Sequence, residues 1–296
     1  MYVELTSQVG YIAGGTNIGV VRVDDSHVLL IDTGLNDTPV RKALRAIATQ
    51  LDAEVSGIVT THGHADHFGG NAFAVKRTGA KVYAPPMEDA VLRHPALQPA
   101  FLYGGADPID SLRGRFLLAD ASPVDEILED GTVNIDGVDI EVIDLRGHSP
   151  NQRGILVDGV FFCADVVFPL TALEKYRVPY LFSLTDHLKA LDMAAEVACS
   201  HVVPGHGPME AQIDGILSAN RTAIEEVLAC ILDLSEEPVG LDDLCAGLFQ
   251  RMGIVVVDAP AYYLLRPTVA AYLTHLTRIG ELSHEISAYR SLWQRR

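Results

Sequence analysis

The chain has 296 residues, 48% hydrophobic and 21% charged, which is enough for one large domain and a small one. Its 39 acidic and 22 basic residues give a formal net charge of −17, a field that repels phosphate backbones and anionic lipid. The first residues lack the features of a signal peptide, no stretch has the roughly 20 apolar residues of a membrane span, and the four scattered cysteines show neither metal-ribbon spacing nor disulfide density. We therefore expect a cytoplasmic protein with no membrane partner.

The first third of the chain alternates strand and helix signals. Two β-rich runs flank the turn Asp24-Asp25-Ser26 and predict a hairpin. Thr38 and Pro39 predict the cap and the first residue of a helix. In chain order we predict strands at 16–23 and 27–31, a helix at 38–51, a strand at 56–60, a helix from about residue 69, and a strand at 81–84.

The middle of the chain begins with a less regular segment, residues 85–130, which holds several prolines. We interpret this segment as a helical insertion that covers a functional site. Strand signals then return, with Asp136-Gly137 and Asp158-Gly159 as hairpin turns. The elements predicted here are strands at 133–135, 138–145, 154–157 and 160–163, a helix at 185–197, and a strand at 201–203.

The last part of the chain has a different, mostly helical character. Helices are predicted at 209–234, 241–251 and 261–279, where Pro267 kinks the third helix or marks a later start. A short hairpin follows. Three helices and a hairpin are typical of a winged-helix module, so we place a catalytic domain at residues 1–214 and a small winged-helix-like domain at 215–296.

A dense set of metal-binding side chains follows the strand at 56–60. Residues 61–67 read Thr-His-Gly-His-Ala-Asp-His, and neutral imidazoles and a carboxylate in a packed core would each need a buried partner. On a loop at the end of a strand they can instead converge on metal ions, since imidazole suits zinc and iron and a carboxylate can hold a second cation. The potential ligands are His62, His64, Asp66 and His67.

Three later residues stand in the same setting, each just past an apolar strand. His148 lies in Gly-His-Ser-Pro, Asp165 follows Val-Phe-Phe-Cys-Ala, and His206 lies in Pro-Gly-His-Gly-Pro. The intervening stretches are long enough for further strands and helices. The sequence therefore predicts that all seven residues meet at one site.

With this complete pattern, the chain closely resembles the metallo-β-lactamase superfamily over roughly residues 10–210. The resemblance implies an α/β fold, an αββα four-layer sandwich with a two-metal site along one edge of its sheets. The implied ligand sets are His62, His64 and His148 for the first metal, Asp66, His67 and His206 for the second, and Asp165 as the bridge between them.

The implied chemistry is hydrolysis by a hydroxide that bridges two divalent metal ions, zinc first, with iron or manganese as alternatives. The resemblance implies that Asp66 orients this hydroxide while it binds the second metal. The histidine-rich first motif with Asp165 and His206 looks most like the glyoxalase II branch and its lactonase relatives. We therefore predict cleavage of a small-molecule thioester, ester or lactone. A glutathione thioester stays open, because the basic residues that hold glutathione in that branch are not identifiable in the C-terminal helices.

A second class of function stays open beside this one. The C-terminal segment also resembles the winged-helix extension of a lactamase-like endoribonuclease branch, so an endoribonuclease or a nucleic-acid-binding protein is the alternative. From Asp214 onward the chain holds 11 acidic and 7 basic residues, which favours homodimerisation or pocket shaping over nucleic-acid contact. Redox or sulfur chemistry at an iron-loaded site is a third reading.

Other residues have weaker signals. Tyr176 and Tyr180, soon after Asp165, line the substrate side or donate to an oxyanion, and a packing role for the rings is equally open. We interpret Asp32-Thr33-Gly34 as a turn and assign no phosphate site to the loop at residues 13–17.

Overall fold

The computed structural model describes residues 1–296 and contains two large β-sheets, a terminal hairpin and helices on both outer sides. The strands are β1 (Tyr2–Glu4), β2 (Val9–Ile12), β3 (Ile18–Arg22), β4 (His27–Ile31), β5 (Glu54–Val59), β6 (Lys81–Ala84), β7 (Glu126–Ile127), β8 (Gly131–Ile135), β9 (Val138–Asp144), β10 (Arg153–Val157), β11 (Val160–Ala164), β12 (His201–Pro204), β13 (Leu282–Ser287) and β14 (Arg290–Arg295). The helices are α1 (Asp37–Gln50), α2 (Ala65–Phe68), α3 (Asn71–Thr78), α4 (Glu88–Arg93), α5 (Leu97–Leu102), α6 (Leu170–Tyr176), α7 (Leu184–Ala195), α8 (Asp214–Leu234), α9 (Leu241–Met252) and α10 (Ala259–Arg278), with a 3₁₀ turn at Asp110–Arg113.

The first sheet has seven strands in chain order, β1 to β7. Its first four strands are antiparallel, whereas β4, β5, β6 and β7 run parallel to one another. In the parallel part Ile31 lies opposite Val59, and Val59 lies opposite Tyr83. The carboxyl ends of β4 and β5 therefore reach the same edge of the sheet, and the residues that follow them meet there.

The second sheet has five strands in the order β12, β11, β10, β9, β8. Strands β8 to β11 form an antiparallel meander, and β12 pairs in parallel with β11. The turns at 136–137 and 158–159 hold left-handed Asp and Gly residues, as type I′ hairpins require. Since β9, β11 and β12 share one direction, the loops after them leave from one edge of this sheet.

The buried side chains form three main apolar layers that set the stacking. One cluster fills the space between the sheets, with Leu29 and Phe162 on facing sides. A second joins the outer face of the first sheet to α1 and α3. The largest, with 27 buried residues, joins Phe161 of the second sheet to α7 and to all three C-terminal helices. The αββα sandwich expected from the sequence is confirmed, and so is the helical C-terminal segment.

Several boundaries differ from the sequence-based predictions, each for a local reason. The cap of α1 is Asn36, not Thr38, because the Asn36 side chain accepts a hydrogen bond from the Thr38 amide at 2.9 Å. Helix α8 begins at Asp214 rather than 209, because Glu210 pairs through its backbone with Val202 of β12. The sequence analysis missed β1, β2, α2, α6 and β7, and β7 lies within the segment 85–130 that we interpreted as a helical insertion.

The C-terminal segment packs α8, α9 and α10 together and ends in the hairpin of β13 and β14. Helix α10 starts at Ala259 and runs through Pro267, so the proline does not mark a later start. Backbone bonds between Val239 and Trp293, both 2.9 Å, tie the hairpin to the connection between α8 and α9. No helix in the structure combines the length and the apolar character needed to cross a bilayer.

The turn of the terminal hairpin predicts a stabilising change. It consists of Ala288 and Tyr289, both left-handed with φ of 46° and 64°, a conformation that costs non-glycine residues and favours Asn-Gly. The side chain of Tyr289 is fully exposed, so its removal breaks no contact. We expect Ala288→Asn combined with Tyr289→Gly to raise the free energy of unfolding by about 1 kcal/mol, measured by denaturant titration.

The control for this change is Gly137→Ala in the turn between β8 and β9. Gly137 has φ of 92° and open space around its Cα, so only the backbone conformation opposes a methyl group there. This variant should be less stable than the parent. Equal stability of the hairpin variant and the parent would show that the turn at 288–289 is not strained.

Candidate metal centre

All seven predicted ligand residues meet at one edge of the sandwich, on loops that follow strands of both sheets. They form three overlapping groups of three residues, and within each group the donor atoms all lie within 4.8 Å of one another. These groups are His62, His64 and His148; His62, His67 and Asp165; and Asp66, His67 and His206.

The first group consists of three imidazoles whose nitrogens point at one another. His64 Nδ1 lies 3.0 Å from His62 Nε2 and 2.8 Å from His148 Nε2. Burial lowers the pKa of His64 to about 4 and that of His148 to about 3. Neutral imidazoles present lone pairs, so this half of the site offers nitrogen donors without charge.

The second half of the site carries the carboxylates. His206 Nε2 lies 3.3 Å from Asp66 Oδ2 and 3.3 Å from Asp165 Oδ2. The charge of Asp165 raises the pKa of His206 to about 12. Burial by itself would lower the pKa of His67, but Asp165 and Asp32 raise it to about 10. The electrostatic field here therefore favours positive charge.

Two buried atoms show that this donor set fits a bound cation. His67 Nε2 and Asp165 Oδ1 lie 3.4 Å apart, are shielded from solvent and have no hydrogen-bond partner. Such unpaired polar atoms are costly to bury, and a metal ion between imidazole and carboxylate donors would satisfy both. The residues fit divalent metal ions, and the same ligand types accept zinc, iron and manganese.

Asp32 holds the centre together, although the sequence analysis interpreted its segment as a turn. Its Oδ1 accepts from the Thr61 amide at 2.8 Å, and its Oδ2 accepts from Thr61 Oγ1 at 2.8 Å. The same Oδ2 lies 2.7 Å from His67 Nδ1, which leaves His67 Nε2 to face Asp165. The signal that could have found it is a buried aspartate at the end of β4, next to the strand that delivers the histidines.

The N-terminal loop at residues 13–17 also has a role that its sequence did not reveal. The backbone oxygen of Gly15 lies 2.5 Å from His206 Nδ1, and Thr16 Oγ1 donates to the Asp66 carbonyl at 2.6 Å. Asn17 Nδ2 donates to two carbonyls of the loop that carries His206, both at 2.8 Å. The loop therefore orients the residues of the second half of the site.

Gln152 and Gly205 fix the position of Asp165. Gln152 Oε1 accepts from the Asp165 amide at 3.2 Å, while its amide group donates to Leu145, just before the His148 loop. A Cβ atom on Gly205 would lie 2.0 Å from Asp165 Oδ1. Only glycine fits at this position.

The two candidate substrate tyrosines have different surroundings. The ring of Tyr180 lies 5.4 Å from that of His64 and 5.7 Å from that of His148, and burial raises its pKa. Its backbone oxygen lies 2.9 Å from His148 Nδ1. Tyr176 is 53% exposed, and its hydroxyl accepts from Lys175. The structure brings the Tyr180 ring to those of His64 and His148 and leaves Tyr176 at the surface.

Comparison with known proteins gives a consistent result. Residues 11–206 match the metallo-beta-lactamase superfamily domain. The chain is 30% identical over 186 residues to a hydroxyacylglutathione hydrolase of Albidiferax ferrireducens, covering 60% of this chain and 59% of that protein. It is 29% identical over 181 residues to the enzyme of the same name from Aeromonas hydrophila subsp. hydrophila, covering 60% and 58%. The chain thus spans about three fifths of the length of these curated relatives.

Two solved structures share the fold over nearly the whole chain. A beta-lactamase domain protein from Burkholderia ambifaria superposes with a TM-score of 0.77 at 21% identity, covering 100% of this chain and 93% of that one. A metallo-beta-lactamase family protein from Thermus thermophilus gives 0.73 at 19% identity, covering 97% and 98%. At these identities the likeness concerns the fold alone. By its sequence match over residues 11–206, the chain belongs to the metallo-beta-lactamase superfamily.

Proposed function

We propose that this protein is a dinuclear metal-dependent hydrolase that cleaves a small-molecule thioester, ester or lactone. The observation that carries the proposal is the convergence of seven imidazole and carboxylate residues around two buried donor atoms that have no other partner. The first metal would be held by His62, His64 and His148, the second by Asp66, His67 and His206, with Asp165 between them. Zinc suits this set best, with iron or manganese as alternatives.

When bound, the metal ions would supply Lewis acidity, which lowers the pKa of bound water toward neutrality and polarises a carbonyl oxygen. The protein's own residues orient the reactants. Asp66 is partly open to solvent and lies 3.3 Å from His206 Nε2, which supports a role for its carboxylate in orienting the attacking water. The Tyr180 ring lies beside those of His64 and His148, and in this proposal its hydroxyl donates to the carbonyl oxygen as charge develops on it.

The surroundings of the site favour a small acyl substrate over RNA. Nearby arginines are already paired with carboxylates, Arg146 and Arg153 with Asp144 and Arg177 with Glu226. Aromatic rings flank the first group, since the rings of Phe168 and Tyr180 lie 5.5 Å and 5.7 Å from that of His148. Hydroxyacylglutathione, the substrate in the names of the two relatives, is a thioester, which supports that bond type.

The helical segment 85–130 and the C-terminal segment meet beside Tyr180. Tyr180 packs against the cluster of Leu102, Leu112 and Leu117, as does Tyr263 of α10, whose ring lies 5.0 Å from that of Tyr103. We infer that residues 85–130 cover the site and that the proposed C-terminal domain, 215–296, shapes this side of the pocket.

Removing the bridging carboxylate tests the proposal directly. We expect about two metal ions per chain by elemental analysis, hydrolysis of a thioester, ester or lactone that a chelator abolishes, and no cleavage of single-stranded RNA. Asp165→Ala should lower kcat/KM by at least about a thousandfold, because several kcal/mol of charge stabilisation are lost. Unchanged turnover by a folded Asp165→Ala protein, or cleavage of RNA alone, would refute the proposal.

Gly205→Ala should impair the centre although it replaces none of the seven donor residues. Because a methyl group would lie 2.0 Å from Asp165 Oδ1, the carboxylate must move, and we expect loss of metal together with at least a tenfold fall in kcat/KM, about 1.4 kcal/mol. The matched control is Gly215→Ala at the start of α8, where nothing lies within 4 Å of the added carbon. If both alanine variants keep full metal content and activity, Asp165 is not confined as described.

Tyr180→Phe tests the substrate side. Removing the hydroxyl keeps the ring against the histidines, so metal content should stay at the parent value while kcat falls about a hundredfold, the effect of losing one oxyanion donor. Tyr262→Phe, whose hydroxyl donates to Asp242 in the C-terminal segment, is the control. If Tyr180→Phe lowers the metal content and leaves kcat per bound metal unchanged, Tyr180 has a packing role.

A further inference from the structure

Glu88 is a buried carboxylate in the first turn of α4 that the sequence analysis did not single out. Its side chain is 1% exposed, and it forms no ion pair with any lysine, arginine or histidine. A carboxylate in such a position is costly unless other groups satisfy it. Its partners therefore show what holds it there.

Three hydrogen bonds satisfy the Glu88 carboxylate. Oε2 accepts from the Gly63 amide at 2.8 Å. Oε1 accepts from the Asn151 amide at 2.7 Å and from Ser149 Oγ at 2.6 Å. The approach to Gly63 is close, since a Cβ there would lie 2.9 Å from Oε2.

These partners belong to two segments only. Gly63 lies between His62 and His64, and Ser149 directly follows His148. A fourth bond joins the same regions, because Asn151 Nδ2 donates to the Pro86 carbonyl, two residues before Glu88, at 2.8 Å. The connection thus reaches all three histidines of the first group through the backbone.

The second group is held by different residues. Asp32 holds His67, and the backbone oxygen of Gly15 holds His206. None of these contacts involves Glu88. Asp32 also reaches the first group, because Thr61 Oγ1, which donates to it, lies 3.0 Å from His62 Nδ1. Asp32 therefore supports both halves of the centre, whereas the side-chain hydrogen bonds of Glu88 reach only the segments that carry the first group.

We propose that Glu88 is a positioning residue that acts on the first metal site, formed by His62, His64 and His148, and not on the second. This inference rests on the proposed function, since it concerns the affinity of the proposed metal site.

The role requires both carboxylate oxygens and not only the shape of the side chain. Glutamine at this position offers one oxygen and one NH₂ group. If its oxygen faces the Asn151 amide, its NH₂ group faces the Gly63 N–H, and the reverse orientation places the same clash at Asn151. Either way one backbone donor loses its acceptor, and one of the two histidine segments is released.

The test is a titration of the full-length, metal-free protein with Co²⁺. Binding is measured by calorimetry and by the visible absorption of the bound ion. The parent should bind about two ions per chain. Glu88→Gln should weaken one binding step by about 10- to 100-fold, the usual effect of losing a group that orients metal ligands, and leave the other step unchanged. Ser149→Ala removes one of the three bonds and should weaken the same step to a smaller degree.

Reference variants assign the weakened step. The Glu88→Gln titration should resemble that of His148→Ala, and combining these two changes should weaken binding no further, whereas combining Glu88→Gln with His206→Ala should impair both steps. Ser235→Ala, which removes a buried hydrogen bond at the end of α8, controls for general destabilisation and should leave both steps intact.

Equal weakening of both steps, or unchanged binding in both Glu88→Gln and Ser149→Ala, would overturn the inference. A parent protein that binds no Co²⁺ would refute the proposed function itself, and the inference with it. Weakening of the step that His206→Ala abolishes would assign Glu88 to the second site and likewise contradict the proposal.

Discussion

The carboxylate of Asp32 accepts hydrogen bonds from Thr61 and lies 2.7 Å from His67 Nδ1, and the rest of the centre depends on this arrangement. Asp32 stands at the end of β4, Thr61 follows β5, and His67 lies in α2, so one buried side chain joins three elements. With Nδ1 engaged, the His67 ring can only present Nε2 toward Asp165. The contact thereby converts the parallel pairing of two strands into a defined direction for a donor atom.

Backbone conformations near the strand ends show what this arrangement costs. Asp32 has φ of 60°, and Ala164, immediately before Asp165, has φ of 48°. Left-handed conformations of non-glycine residues cost of the order of 1 kcal/mol or more each, so such residues persist only where the surroundings fix them. Here the surroundings are the two sheets, whose apolar clusters hold the strands on either side of the bends. The packed strands and the left-handed residues at their ends together fix the positions of the Asp32 and Asp165 side chains.

The sequence predicted the sandwich, and it singled out the seven histidines and aspartates that the structure brings together, because both signals are local. A short apolar strand leading into a histidine-rich loop is visible within a dozen residues, and so are the Asp-Gly turns of the second sheet. The supporting residues could not be found in this way. Asn17 donates to a carbonyl 187 residues away, and Glu88 accepts from the Asn151 amide across 63 positions. A single asparagine or glutamate carries no sign of such contacts, which exist only once the sheets have formed.

The different positions of the two candidate tyrosines could not be predicted either, for the same reason. Tyr176 and Tyr180 are four residues apart, and nothing in the sequence favours one of them over the other. A left-handed residue, Arg177, with φ of 60°, ends α6 between them, and the chain then turns inward, which brings Tyr180 against the histidines and leaves Tyr176 on the outer end of the helix.

The two halves of the centre also differ in how they can attract a cation. In the second half Asp66 and Asp165 supply negative charge, which raises the pKa of His206 to about 12 and would draw in any divalent ion even with imperfect geometry. In the first half burial keeps the imidazoles neutral, with pKa values of about 4 for His64 and about 3 for His148. Neutral donors bind a metal only when their lone pairs converge. The only carboxylate beside these imidazoles is that of Asp165, 3.5 Å from His148 Nε2 and shared with the second half. The first half therefore needs stricter positioning, and its two histidine segments share the Glu88 carboxylate.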